Sequence, residues 1–137
     1  MERDRGFTLI ELLLSLSIIL ALLSLTVPVS TSLLRSYRNS LLASKVMVYI
    51  SDLKRECFLH GEEAEITSLD GCLVINGKKK EFPGAYVMVD NKVKIYRNGT
   101  TNGGRVLLSI DRENYVIEIL PPFSDLLLRT SKNEKRK

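Results

Sequence analysis

The sequence predicts an α+β fold, with one long N-terminal helix packed on antiparallel β-sheet. Three observations predict it. An apolar run opens at Phe7 and stays free of charge from Leu12 to Leu34. An amphipathic stretch then continues to about Leu59. From Glu65 the hydrophobic period changes to two, with short apolar runs separated by turn signals.

The first element begins after a charged leader, Met1-Glu2-Arg3-Asp4-Arg5-Gly6. Leu12–Leu34 is 23 residues without a charge. At about 1.5 Å per residue that spans roughly 34 Å, against a bilayer hydrocarbon core of about 30 Å. One carboxylate, Glu11, sits near its start. An unpaired acid that reached the bilayer centre would cost roughly 2.5–3.5 kcal/mol. Thr8 and Glu11 also fit a capping box, with Thr8 as N-cap and Glu11 three residues on. A carboxylate solvated at the interface is a further reading. A secretory signal peptide fits less well, because its apolar region is shorter and ends at a small-residue cleavage site. Ser24-Leu25-Thr26-Val27-Pro28 is a poor match to such a site. A simple signal anchor stays open.

The helix does not stop at the apolar run. Leu34, Tyr37, Leu41, Val46, Tyr49, Leu53 and Cys57 recur at spacings near three and four, and mark one helical face. Arg35, Arg38, Lys45, Lys54 and Arg55 mostly take the other. Gly61 is a stop signal. Phe7 to about Leu59 therefore reads as one helix with a kink near Pro28. Its first half is apolar all round and its second half amphipathic.

The expected strands are Glu65–Leu69, Cys72–Ile75, Lys80–Phe82, Ala85–Val89, Lys92–Tyr96, Arg105–Ile110 and Tyr115–Leu120. Asn76-Gly77 and Asp90-Asn91 suit tight hairpin turns, and Asp111–Asn114 reads as another. The loop Asn98-Gly99-Thr100-Thr101-Asn102-Gly103-Gly104 lacks the lysine of a phosphate-binding loop and reads as a flexible connection. Leu126-Leu127-Leu128 reads as a last strand or a helical turn. Ser131–Lys137 is polar and expected to be disordered.

Gly6-Phe7-Thr8-Leu9-Ile10-Glu11-Leu12 resembles the N-terminal signature of type IV pilins and of the pseudopilins of type II secretion systems. Pro28 falls where these proteins usually carry a helix-kinking proline. The resemblance implies that a prepilin peptidase cuts between Gly6 and Phe7 and methylates the Phe7 amine. It implies that Glu11 meets that amine on a neighbouring subunit as a filament assembles. A free α-amine has an ordinary pKa of about 7.7–8.0, so it would be largely charged. More loosely, the glycine-containing turn Gly99–Gly104 before Arg105–Ile110 resembles minor pseudopilins of the GspH/FimT type. The organisation this implies is a leader at 1–6, a membrane and filament-core helix half at 7–29 and an amphipathic half at 30–60. A β-rich domain at 61–128 and a basic tail at 129–137 follow.

Charge alone leaves orientation undecided, with Arg3 and Arg5 before the span and Arg35 and Arg38 after it. The resemblance places the leader in the bacterial cytoplasm and everything from Ser30 in the periplasm. Cys57 and Cys72 would then lie in an oxidising compartment and could close a loop of 16 residues. Two free thiols are the alternative. Two cysteines and one distant His60 do not make a zinc site.

The formal net charge is +4. Arg129–Lys137 carries five basic residues and Glu134, so it is +4 alone and the rest is balanced. That tail is a solubilising end or a salt-dependent DNA contact. No nucleophile is paired with a base at readable spacing, which argues against an enzyme, and no cofactor is expected. The resemblance implies as partners the prepilin peptidase, other pilins or pseudopilins, an inner-membrane assembly platform and the lipid bilayer. The expected role is a structural minor pseudopilin of a type II secretion pseudopilus. A minor type IV pilin active in DNA uptake is the alternative within that family. A signal-anchored periplasmic domain without a filament is the alternative outside it.

Overall fold

The computed structural model describes residues 8–123 and 125–131. The helix α1 spans Leu9–His60 without a break. Eight strands follow: β1 (Ala64–Leu69), β2 (Cys72–Ile75), β3 (Lys78–Lys80), β4 (Ala85–Val89), β5 (Val93–Ile95), β6 (Gly104–Ile110), β7 (Glu113–Leu120) and β8 (Asp125–Ser131). They form two antiparallel sheets, ordered β3-β2-β1-β5 and β4-β6-β7-β8. The fold is α+β, as the change of period indicates. The chain divides into two compact units, Met1–Tyr37 and Arg38–Lys137.

Local chemistry explains the element ends. The carbonyl of Thr8 accepts from the amides of Glu11 at 3.0 Å and Leu12 at 3.2 Å, which makes Thr8 the N-cap. At the other end Gly61 is left-handed at φ 65°, and the amide of Glu62 donates to the Cys57 carbonyl at 3.0 Å. That bond is the mark of a Schellman cap. In the first sheet two tight turns have both central residues at positive φ. They are Asp70-Gly71 (52° and 75°) and Asn76-Gly77 (49° and 79°). This backbone twist matches that of the paired strands. Gly71 is further fixed by packing, because a Cβ there would lie 2.4 Å from the Tyr86 ring.

The core of the second unit is one apolar cluster. Helix α1 contributes Ala43, Val46, Ile50 and Cys57. The first sheet gives Ala64, Ile66, Leu73, Ile75, Val93 and Ile95, and the second gives alternate residues such as Val106, Leu108, Tyr115, Ile117 and Ile119. Tyr49 and Phe82 meet edge to face at 5.7 Å on its margin, with the Lys80 ammonium over the Tyr49 ring.

Several expectations need correction. The buried helical stripe begins at Asn39 and runs through Ala43, Val46 and Ile50, whereas Leu34, Tyr37 and Leu41 are exposed. Val46, Tyr49, Leu53 and Cys57 of the expected face do reach the core, and the error lies at its start, where a polar and a small residue, Asn39 and Ala43, carry the stripe in place of large apolar ones. Strand β3 is Lys78–Lys80, not Lys80–Phe82, because the Asn76-Gly77 turn sets Lys78 opposite Ile75. Asp90-Asn91 closes no hairpin, since β4 and β5 belong to different sheets and the Asp90 amide continues the β6 pairing at Arg105. The leucine run is strand β8, which extends to Ser131. The basic tail therefore begins after Ser131, and Arg129 is a strand residue opposite Val116.

The loop at 98–104 is not a slack connection. Thr101 is buried and bridges Ile95, and its hydroxyl donates to the Lys94 carbonyl at 2.8 Å. Asn102 copies a strand with its side chain. Its Oδ1 accepts from the Lys94 amide at 2.8 Å, and its Nδ2 donates to the Lys92 carbonyl at 3.0 Å. Gly103, at φ 77°, lies where a Cβ would sit 2.8 Å from the Pro121 ring.

Candidate functional site

The residues singled out by sequence concentrate in the first unit. From Leu9 to Tyr37 every helical residue is exposed, including sixteen large apolar side chains from Leu9 to Leu34 and Tyr37. An 18-residue stretch of this helix is apolar enough to cross a membrane, and none of it is buried by the rest of the chain. A soluble core helix with such composition would be covered by its own fold.

Six hydroxyls inside this stretch are satisfied locally. Ser15, Ser17 and Thr26 donate their hydroxyls to carbonyls four residues back, each at 2.8 Å. Ser24, Thr31 and Ser32 do so three residues back, at 2.7–3.0 Å. Hydroxyls bonded in this way need no water, which suits hydrocarbon or a packed helix bundle. Pro28 lies inside the helix, where its missing amide leaves one rung of the ladder unmade. Glu11 is the one charged side chain of α1 before Arg35, and among the described residues no cation pairs with it. Gly6 and Phe7 lie outside the described residues, as do the leader and Lys132–Lys137.

The first 27 residues match the family model described as the prokaryotic N-terminal methylation motif. The chain is type IV pilin-like. That motif, on a helix with a bare apolar half, identifies a structural subunit rather than an enzyme. It also fits a membrane-anchored pilin that is processed by a prepilin peptidase and assembles with other pilins. No curated protein and no solved structure matches the chain.

The other candidates of this pilin-like chain are structural. His60 sits in the last turn of α1, with Nδ1 3.1 Å from the Glu56 carbonyl. Glu65 pairs with Lys92 at 2.7 Å and Glu63 with Arg97 at 3.6 Å, on an exposed face. The hollow on the outer face of the second sheet, about 630 Å³, is lined by Tyr86, Met88, Leu107, Asn114, Val116 and Ser131 among others. Those side chains offer hydroxyls and an amide, but no base to activate them.

Cys57 and Cys72 are both free. The topology explains why the expected disulfide does not form. Cys57 lies beside Ala64 and Asn76, at the open end of the β1–β2 hairpin. Cys72 pairs with Leu69 at the hairpin's turn. Five residues of β1 separate the two ends, about 16 Å at 3.3 Å per residue. A disulfide needs Cα atoms within about 7 Å. Burial, with the charges of Glu62 and Glu56, pushes the Cys57 thiol above its ordinary pKa and keeps it protonated.

One polar cluster was not visible in the sequence pattern. Glu113 Oε2 accepts from Asn39 Nδ2 at 3.1 Å and from the buried Tyr115 hydroxyl at 2.7 Å. Burial, the hydrogen bond and the Glu113 charge push Tyr115 up to about 12. The signal for Asn39 was its place four residues before Ala43, a polar residue on the stripe that faces the core. Nothing in the sequence joins it to a carboxylate 74 residues away.

Proposed function

We propose that this chain is a minor pseudopilin of a type II secretion system. It would be stored in the inner membrane with its β-rich unit in the periplasm, and would support export of folded proteins across the outer membrane. The observation that carries the filament reading is the bare apolar helix half opened by a methylation motif. Side chains that their own fold leaves uncovered require lipid in storage and neighbouring helices after assembly. The more specific pseudopilin reading draws support from the glycine-containing turn that leads into β6.

In this reading a peptidase cuts between Gly6 and Phe7 and methylates the Phe7 amine. The new cationic terminus meets Glu11 of a neighbouring subunit. Either charge alone is costly in a low-dielectric filament core, and the pair offsets that cost while fixing axial register. Pro28 relaxes the helix where membrane and periplasmic halves join. The assembly platform and the other pseudopilins are the expected partners.

Removing the chain from its native host tests the pseudopilin role. The expected result is that exported proteins accumulate in the periplasm while pili and DNA uptake persist. Normal export with lost uptake would move the chain to the type IV pilus alternative. The capture of Arg129 by β8 weakens that alternative, since it leaves residues 132–137 at net +3, from four basic residues and Glu134.

A further inference from the structure

Each sheet has two edges, and three of the four are guarded. Strand β3 is Lys78-Lys79-Lys80, all exposed, and edge lysines discourage strand addition. Strand β5 is covered by Thr101 and by the strand-like side chain of Asn102. Strand β4 is engaged by the β1–β2 turn. Its Val87 amide donates to the Gly71 carbonyl at 2.8 Å, and its Val89 amide to the Ser68 hydroxyl at 2.9 Å. Strand β8 differs. It pairs with β7 over seven residues on one side, and no described residue pairs with its other side.

That open edge is held in place. The Thr101 amide donates to the Pro122 carbonyl, and Lys54 Nζ donates to the Phe123 carbonyl, so the turn feeding β8 is tied at two points. The edge is also self-complementary. Its residues Asp125-Leu126-Leu127-Leu128-Arg129 read as acid, three leucines, base. Antiparallel pairing of two copies about a two-fold axis normal to the sheet must be centred on a residue. Only then do core-side residues stay on the core side. Centred on Leu127, the pairing sets Asp125 opposite Arg129 of the second copy twice over, Leu126 opposite Leu128, and Leu127 opposite itself. Centring on Leu126 or Leu128 instead places a charge opposite a leucine.

The faces agree with this register. Leu126 and Leu128 are half-buried against the core, while Asp125, Leu127 and Arg129 are exposed on the outer face. Arg129 already leans toward Glu118 at 3.7 Å, on the side away from the open edge. Among the described residues no cation pairs with Asp125. We propose that β8 is a homotypic docking edge, through which two copies of this chain join their second sheets into one eight-stranded antiparallel sheet. The two-fold pairing satisfies the free backbone groups of both edges and supplies the ion pairs. This inference rests on the edge alone and stands apart from the filament reading.

The test uses the full chain in detergent and in membranes, in a Cys72→Ser background. Leu127→Cys should form a covalent dimer with mild oxidant or a short bis-maleimide. Met88→Cys, which is exposed on the opposite edge strand, should stay monomeric. Within the Leu127→Cys background, Asp125→Arg or Arg129→Asp should each lower the dimer yield about tenfold or more, because like charges then face each other. The double swap should restore it. No crosslink at Leu127 above the Met88 control would overturn the proposal, and so would a double swap as deficient as either single change.

Discussion

The two halves of helix α1 belong to one unbroken helix and live by different rules. In Arg38–His60 a stripe at Asn39, Ala43, Val46, Ile50 and Cys57 is covered by the chain's own strands. In Leu9–Tyr37 nothing is covered, although the composition is more apolar. Helical propensity does not separate them. The difference lies in where each half finds its solvent. The second half obtains an interior from β1–β8. The first must obtain one from outside the chain. The methylation motif at residues 1–27 points to where that interior comes from.

The largest expected effect falls on Glu11. Glu11→Ala should abolish incorporation into filaments while membrane insertion and processing continue, because a lone buried ammonium is left without its counter-charge. Fractionation of membranes and sheared filaments reads both. Normal incorporation would remove the assembly role and leave specific contacts to the second half of α1 alone.

Next come paired truncations, one in each half of the molecule. Ile117 is fully buried, and Ile117→Ala should cost the β-rich unit about 2–5 kcal/mol. Leu16 is 49% exposed, and Leu16→Ala should leave that unfolding transition unmoved. Denaturation followed by tyrosine emission is suitable, since the chain has five tyrosines and no tryptophan. Equal shifts would break the distinction between a self-buried and an externally buried half.

A smaller effect concerns the Asn39–Glu113–Tyr115 cluster. Tyr115→Phe should cost about 1.5–3 kcal/mol by removing one hydrogen bond to a carboxylate. The pH dependence follows from the raised pKa. The folded state holds the Tyr115 proton more tightly than the unfolded state, whose ordinary value is 10.0. The associated stability is therefore complete below about pH 10 and is lost as pH rises toward 12. Ultraviolet titration of the folded chain should reveal one late-titrating tyrosine, absent in the Tyr115→Phe variant. The smallest effect is on the thiols. Alkylation without reductant should label Cys72 quickly and Cys57 slowly, and Cys72→Ser should leave stability within about 0.5 kcal/mol. Labelling that requires prior reduction would restore the disulfide.

Much of this was legible in the sequence, for identifiable reasons. Strands β2 and β4 fall at their expected bounds, because each is a short apolar run closed by turn residues, Asn76-Gly77 after β2 and Asp90-Asn91 after β4, and such punctuation is a local signal. The helix stop at Gly61 was legible for the same reason. Strand β8 was not. Three consecutive leucines show no alternation, and the sheet itself decides that Leu126 and Leu128 face the core while Leu127 faces out. The loop at 98–104 looked slack because its small polar residues read as flexible. The hydrogen bonds of Thr101 and Asn102 to β5 are tertiary and leave no periodic trace. The cysteine separation misled because 16 residues of chain say nothing about the hairpin between them. In the candidate site, Glu11 and Pro28 were found by their chemistry in an apolar run. Asn39 was passed over because a polar residue on an apolar stripe looks like an interruption.

The central claim is that the uncovered helix half is a processed filament element. The mass of the mature N terminus, measured on chain recovered from cells with an active prepilin peptidase, tests it most directly. The account predicts a chain that begins at Phe7 with one added methyl group on its amine. A mature chain that retains Met1–Gly6 would contradict it.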